Sequence, residues 1–221
     1  MKFLFKFPSR GRPELFMKTL KKHVEFLSGN HEYKFIFSFD EDDNKMKDPN
    51  LIDSLNSMGI NYQLFYGYNK NKIEAINNNL IDEDFDILML IADDMIPTLK
   101  NYDEIIYEIF EKSEHKLDAT IHFNTPRWAD ILDVWCIMGK NYYDRFKYIY
   151  HPEYKSIFCD NEYTEVSTIL NRRIFSEICL FEHRNHEQIG DETEVRNWQF
   201  NNEDTLTYNK RKENNFYITN I

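Results

Sequence analysis

The chain has 221 residues, 42% hydrophobic and 29% charged, which excludes an intrinsically disordered chain and allows one substantial domain. Its formal net charge of −11 makes the average surface repel phosphate backbones and argues against a general nucleic-acid binder. No apolar run approaches the roughly 20 residues of a membrane span, and the first eight residues alternate too briefly for a signal peptide.

From the N-terminus, short apolar runs alternate with longer amphipathic stretches. Residues 3–7 predict a first strand. Residues 13–27 carry Leu15, Phe16, Leu20, Val24 and Leu27 at helical spacing, with Pro13 at a first helical position where its missing N–H costs nothing. A second strand over 33–39 leads into the acidic turn Asp40, Glu41, Asp42 and Asp43, and a helix opens at Asp48 and Pro49, runs to Met58 and stops at Gly59. A third strand over 60–66, a helix over 72–80 and a fourth strand over 86–91 complete three β-α units. These units predict a mostly parallel sheet with helices on both faces, and the uniformly apolar run 87–91 suits a strand buried on both sides.

The second half is less regular. Strands are expected over 118–123 and 132–138, a short helix over 140–147, another helix over 161–170 and a last strand over 174–181. That strand runs into a polar turn containing His183 and His186, and a polar, helical tail follows over 192–215. Cys136, Cys159 and Cys179 are odd in number and lack metal-ligand spacing, which points to a reduced cytoplasm. Heavy use of Asn, Lys and Ile suggests an AT-rich genome, so the expected setting is a bacterium or a virus-infected host cell.

In an open parallel sheet, ligands collect outside the carboxyl ends of the strands. That rule selects the turn around Ser9 to Arg12, the acidic turn at Asp40, and Asp93 with Asp94. Ending a buried strand with two adjacent carboxylates is unfavourable unless a cation or donors offset the charge. A helix N-cap with a solvated neighbour is the plainer explanation of the pair; a Mg²⁺ or Mn²⁺ site bridging a diphosphate is the functional one. Arg10 and Arg12 flank a glycine beside a helix N-terminus, a position that favours anions.

These residues carry a resemblance. Ala92, Asp93, Asp94, Met95, Ile96 and Pro97 after a strand resemble the short acidic metal motif of family 2 glycosyltransferases. The stretch Lys72, Ile73, Glu74, Ala75, Ile76, Asn77 is similar to the helix that precedes that motif. Pro8, Ser9, Arg10, Gly11, Arg12 and Pro13 resemble the family's nucleotide-binding turn, and Asp40 matches its base-holding carboxylate. The likeness continues through Met138, Gly139 and Lys140, through Tyr150, His151, Pro152, Glu153 and Tyr154, and through Asp160, Asn161 and Glu162 to the His-rich turn. It departs at Ala92, where many relatives carry a further aspartate.

The resemblance implies a single α/β domain of GT-A (Rossmann-like) type, a mostly parallel central sheet with helices on both faces. Residues 1–98 would form a nucleotide-sugar-binding half, 99–190 an acceptor-binding and catalytic half, and 191–221 a polar helical tail. It implies transfer of a sugar, with inversion and with Mn²⁺ or Mg²⁺, from a nucleoside-diphosphate sugar (a UDP-sugar first) to a glycan or other hydroxyl acceptor; a modified nucleic-acid base stays open as acceptor. Donor binding falls to Pro8, Ser9, Arg10, Arg12, Asp40, Lys72 and Asp93, and metal binding to Asp94 and to His183 ahead of His186. Asp160 is the expected general base, with Glu162 two residues on as the alternative. Trp128 is the expected acceptor contact, through stacking on a sugar ring. A nucleotidyltransferase and a non-catalytic nucleotide-sugar binder are the competing readings.

Overall fold

The computed structural model of the chain describes residues 1–184, 190 and 192–220. Its first half follows the alternation of the sequence: β1 (Lys2–Pro8), α1 (Pro13–Phe26), β2 (Glu32–Asp40), α2 (Pro49–Ser57), β3 (Tyr62–Gly67), α3 (Lys72–Asn77) and β4 (Ile87–Leu90). Then come β5 (Met95–Pro97), α4 (Tyr102–Lys112), β6 (Thr120–Phe123), β7 (Ile137–Gly139), α5 (Lys140–Phe146), α6 (Cys159–Ile169), β8 (Arg173–Ser176) and β9 (Phe181–His183). The tail forms α7 (Glu192–Trp198), α8 (Asn201–Glu213) and a 3-10 segment, Asn215–Asn220. Among the described residues no helix is long and apolar enough to cross a membrane.

Seven strands form one sheet in the order β3-β2-β1-β4-β7-β6-β8. All run parallel except β7, which is antiparallel to both β4 and β6. Period-two alternation divides the core into two layers. Phe3, Phe5 and Phe7 meet Phe16 and Leu20 of α1 and Leu51 and Leu55 of α2 on one face; Leu4 and Ile36 meet Ile73 and Ile76 of α3 and Tyr142 and Tyr163 of α5 and α6 on the other. Burying each such Phe contributes about 1.5–3 kcal/mol. The sheet is therefore covered on both sides, as a parallel sheet requires.

Several boundaries differ from expectation. The helix over 72–80 ends at Asn77, because Asn78 turns extended and Asn79 takes a positive φ of 65°. Of the strand expected over 132–138 only the last two residues, with Gly139, join the sheet. The run over 174–181 is two strands in two sheets: β8 pairs with β6, whereas β9 pairs antiparallel with β5 as a separate two-stranded ribbon. An apolar run signals burial but does not say which neighbour it pairs with. The sequence reading also assigns nothing to α4, although Tyr102, Ile106 and Phe110 stand at helical spacing and are fully buried. Gly139 has a specific reason: a Cβ there would stand 2.2 Å from the Leu117 carbonyl oxygen.

Behind the ribbon sits His23 of α1, fully buried between Tyr102 and the Met95 carbonyl. The carbonyl takes the Nε2 proton, which leaves Nδ1 to accept from the Tyr102 hydroxyl. Burial lowers this imidazole to about 4, so it stays neutral and acts as a structural strut between α1 and β5.

Candidate active site

At the carboxyl ends of β1, β2 and β4 the chain surrounds a cavity of about 400 Å³. Pro8, Ser9, Arg10 and Arg12 border it from the turn after β1, Asp40 from the end of β2, and Asp93 and Asp94 from the turn after β4. Lys72 of α3, Trp128 from the loop after β6, Asp160 of α6 and His183 of β9 complete the border. The fold thus gathers residues spread from position 8 to position 183 onto one site. Glu162 is the exception, and His186 lies outside the described residues.

The turn after β1 depends on Gly11, whose φ of +71° a side chain rarely adopts. Its N–H donates to Asp43 at 2.5 Å, which ties this turn to the acidic turn after β2. Arg10 donates to Asp40 at 2.7 Å and to Asp42 at 2.5 Å. Asp40 is buried and accepts on its other oxygen from Asn69 at 2.9 Å. A second cation, Arg196 of α7, reaches the same carboxylate at 3.3 Å, while Thr193 of that helix donates to the Arg10 carbonyl at 3.0 Å. The tail helix therefore lies across the Asp40 end of the cavity. Nothing in its sequence marks it for this position; Arg196 reads as one cation in a charged tail.

The two adjacent aspartates part company. Asp93 is buried and accepts from Ser9 at 2.9 Å, with the Arg12 guanidinium at 3.6 Å. Burial pushes its carboxyl up to about 7, against the opposing pull of Arg12 and Ser9. Asp94 turns the other way and accepts from Nε2 of His183 at 3.0 Å. The β5–β9 ribbon makes this contact: Met95 is paired with His183, and the Arg184 N–H donates to the Asp94 carbonyl at 2.8 Å. Trp135 packs edge-on against the His183 ring, with centroids 4.9 Å apart.

The Asp94–His183 pair fits a divalent cation. Two ligands each about 2.1 Å from an octahedral ion stand about 3.0 Å apart, the separation found between these atoms. Carboxylate oxygen and imidazole nitrogen form an acceptable donor set. Among the described residues no third His, Cys, Asp or Glu joins them.

Another part of the border comes from α6, which begins at Cys159, with Phe158 as its N-cap in the left-handed region, so Asp160 sits inside the first turn. One of its oxygens accepts from the Asn161 N–H at 3.0 Å. Burial raises its carboxyl above the ordinary range, and the Lys72 ammonium draws it back. Glu162 points to the opposite side of the helix. It takes a bidentate pair from Arg211 of α8 at 2.7 and 2.9 Å and a bond from the Tyr154 hydroxyl at 2.8 Å, and it is 5% exposed. Its fork–fork geometry is that of a structural ion pair, and Glu162 does not border the cavity. Trp128 is half-buried at the mouth, with the Arg127 guanidinium 4.8 Å from its ring centre.

No family model matches this chain, and no curated protein does. Solved structures do. The mannosyltransferase PcManGT of Pyrobaculum calidifontis, solved with GDP-Man and Mn²⁺, superposes with a TM-score of 0.66 at 9% identity, over 82% of this chain and 56% of its own. Residues 1–349 of TarS from S. aureus superpose with a TM-score of 0.63 at 14% identity, over 85% of this chain and 61% of that one. The TarS complex with UDP-GlcNAc gives 0.60 at 13% identity, over 82% of this chain and 57% of that one. The fold is that of the GT-A glycosyltransferases. The chain spans less than two thirds of the length of either protein.

Proposed function

We propose that this chain is a glycosyltransferase that moves a sugar, with inversion, from a nucleoside-diphosphate donor to a hydroxyl acceptor. The observation that carries this reading is convergence: Asp40, the Asp94–His183 pair and Asp160 border a single cavity at the carboxyl edge of the sheet. Asp40 offers only acceptor oxygens, so it suits a base with a ring N–H, which uracil and guanine possess. A UDP-sugar is the first donor to try. Arg12 and Lys72 supply positive charge along the diphosphate. Asp94 and His183 would hold Mn²⁺ or Mg²⁺, and a cation bound there offsets the charge that grows on the leaving diphosphate.

Asp160 takes the proton. As the acceptor oxygen bonds to the anomeric carbon, the bond from that carbon to the diphosphate oxygen breaks, and the hydroxyl proton passes to the Asp160 carboxylate. Asp160 and the Asp94–His183 pair border the same cavity, and a base that meets the acceptor opposite the leaving group inverts the anomeric centre. Trp128 at the mouth suits stacking on an acceptor ring.

The metal assignment has a direct test. Asp94→Ala should abolish metal-dependent nucleotide-sugar binding and leave the circular dichroism spectrum unchanged, since removing one of two adjacent carboxylates relieves repulsion and rarely destabilises a fold. Calorimetric titration in Mn²⁺ against chelator checks it; unchanged metal dependence excludes the assignment. A second titration places the base. Asp40→Ala should weaken free UDP and a UDP-sugar by similar factors, because the two share the base, and a loss confined to the sugar conjugate would move Asp40 to the sugar pocket. Saturable donor binding without hydrolysis or transfer would identify a binder rather than an enzyme.

A further inference from the structure

Lys6 of β1 is fully buried, on the strand face that carries Leu4 and packs against α3. Beside it in the sheet are Ile36 of β2 and Leu90 of β4. Burial lowers its ammonium to about 7, and no carboxylate counters that effect. An amine in such a place is unfavourable unless its N–H groups are used. Lys6 donates to the Ser38 hydroxyl at 2.5 Å and to the Asn78 carbonyl at 2.7 Å. The bonds continue from Asn78. Its side-chain amide donates to Oδ1 of Asn69 at 2.8 Å, and the Asn69 amide donates to Oδ1 of Asp40 at 2.9 Å. Every link has the same polarity. Because Asn69 Oδ1 takes the Asn78 N–H, its NH₂ group is the one turned to the carboxylate. Asn69 is itself buried, and a Cβ on Gly67 would stand 3.4 Å from its Nδ2, so the glycine leaves the amide room.

Resting on the reading that Asp40 holds the donor's base, we propose that Asn69, backed by Asn78 and Lys6, is the positioning residue that aims the Asp40 carboxylate at the nucleotide. The partners on the other oxygen, Oδ2, are Arg10 and Arg196, both partly exposed side chains. The Asn69 bond is buried and lies on Oδ1, so the carboxylate keeps its direction when a ligand displaces either arginine. A neutral amide also orients the carboxylate without cancelling its charge, which leaves it a strong acceptor for a ring N–H.

The test titrates UDP and GDP into wild type and into Asn69→Ala, Asn78→Ala and Lys6→Met, each also made in the Asp40→Ala background. Asn78 is exposed, so its variant should keep the fold while cutting only the side-chain link to Asn69. Alone, each variant should weaken the nucleotide that binds about five-fold, the usual net worth of one hydrogen bond. Each should also raise the donor's KM with kcat near wild type, as lost uniform binding does. In the Asp40→Ala background none should weaken the nucleotide further, because the relay acts only through that carboxylate. Losses that add fully to that of Asp40→Ala, or wild-type affinity in any of the three single variants, overturn the relay while the nucleotide site stands. Equal affinity of wild type and Asp40→Ala, or a wild type that binds neither nucleotide, overturns instead the reading that Asp40 holds the base, and this proposal with it.

Discussion

Replacing Asp160 by Asn should leave donor affinity within a few-fold of wild type and lower turnover by roughly two to four orders of magnitude. The amide has the carboxylate's shape and can still accept from the Asn161 N–H, so the first turn of α6 is preserved. What it loses is the ability to take the acceptor's proton. The wild-type enzyme should show a matching pH dependence. Burial raises the Asp160 carboxyl, so turnover falls as acidification carries the group through that raised value and protonates it. The product should have the anomeric configuration opposite to the donor's, which proton NMR of the product reads directly. Near-normal turnover in the variant, or a product of retained configuration, would remove Asp160 from the role.

The second large effect is on stability. Arg211→Met strands the Glu162 carboxylate, 5% exposed, with the Tyr154 hydroxyl as its remaining side-chain partner. Breaking a buried ion pair from one side costs about 3–5 kcal/mol. For a chain of this size that lowers the melting temperature by roughly 6–20 °C, read by thermal unfolding. Glu162→Gln should cost less, because a neutral amide can still accept from Arg211, and its turnover per folded molecule should stay near wild type. Turnover separates the two acidic residues of this turn: Asp160→Asn folded and slow, Glu162→Gln less stable and active. The reverse pattern would move the base two residues along the helix.

The first half of the fold was legible because each of its elements announces itself locally. Phe3, Phe5 and Phe7 alternate, Pro13 starts α1, and Asp48 caps α2 through the Asn50 N–H at 2.9 Å. Candidate site residues followed from the strand ends, since a parallel sheet directs its loops to one edge. The second half resisted because its decisive contacts are long-range. Nothing near residue 181 says that Phe181 pairs with Pro97, and that pairing brings His183 to Asp94. Asp160 and Glu162 look alike in sequence, both being acidic residues in the first turn of a helix. Arg211, 49 positions beyond Glu162, and the Tyr154 hydroxyl distinguish them once the chain is folded.

The loop before α6 takes its shape from a part of the chain that is synthesised well after it. Its three successive N–H groups, of Lys155, Ser156 and Ile157, all donate to the carboxylate of Asp204, at 2.9, 2.8 and 2.8 Å, and Asp204 is fully buried in α8. The parallel sheet can begin to assemble as soon as its strands leave the ribosome. The turn that positions Asp160 must wait for a residue translated more than forty positions later. At about 5–20 residues per second this leaves an interval of a few seconds in which β1 to β4 have been made and the turn before α6 still lacks its anchor. A nascent chain halted before Asp204 would hold the strands of the sheet but leave the N–H groups of Lys155, Ser156 and Ile157 without that carboxylate.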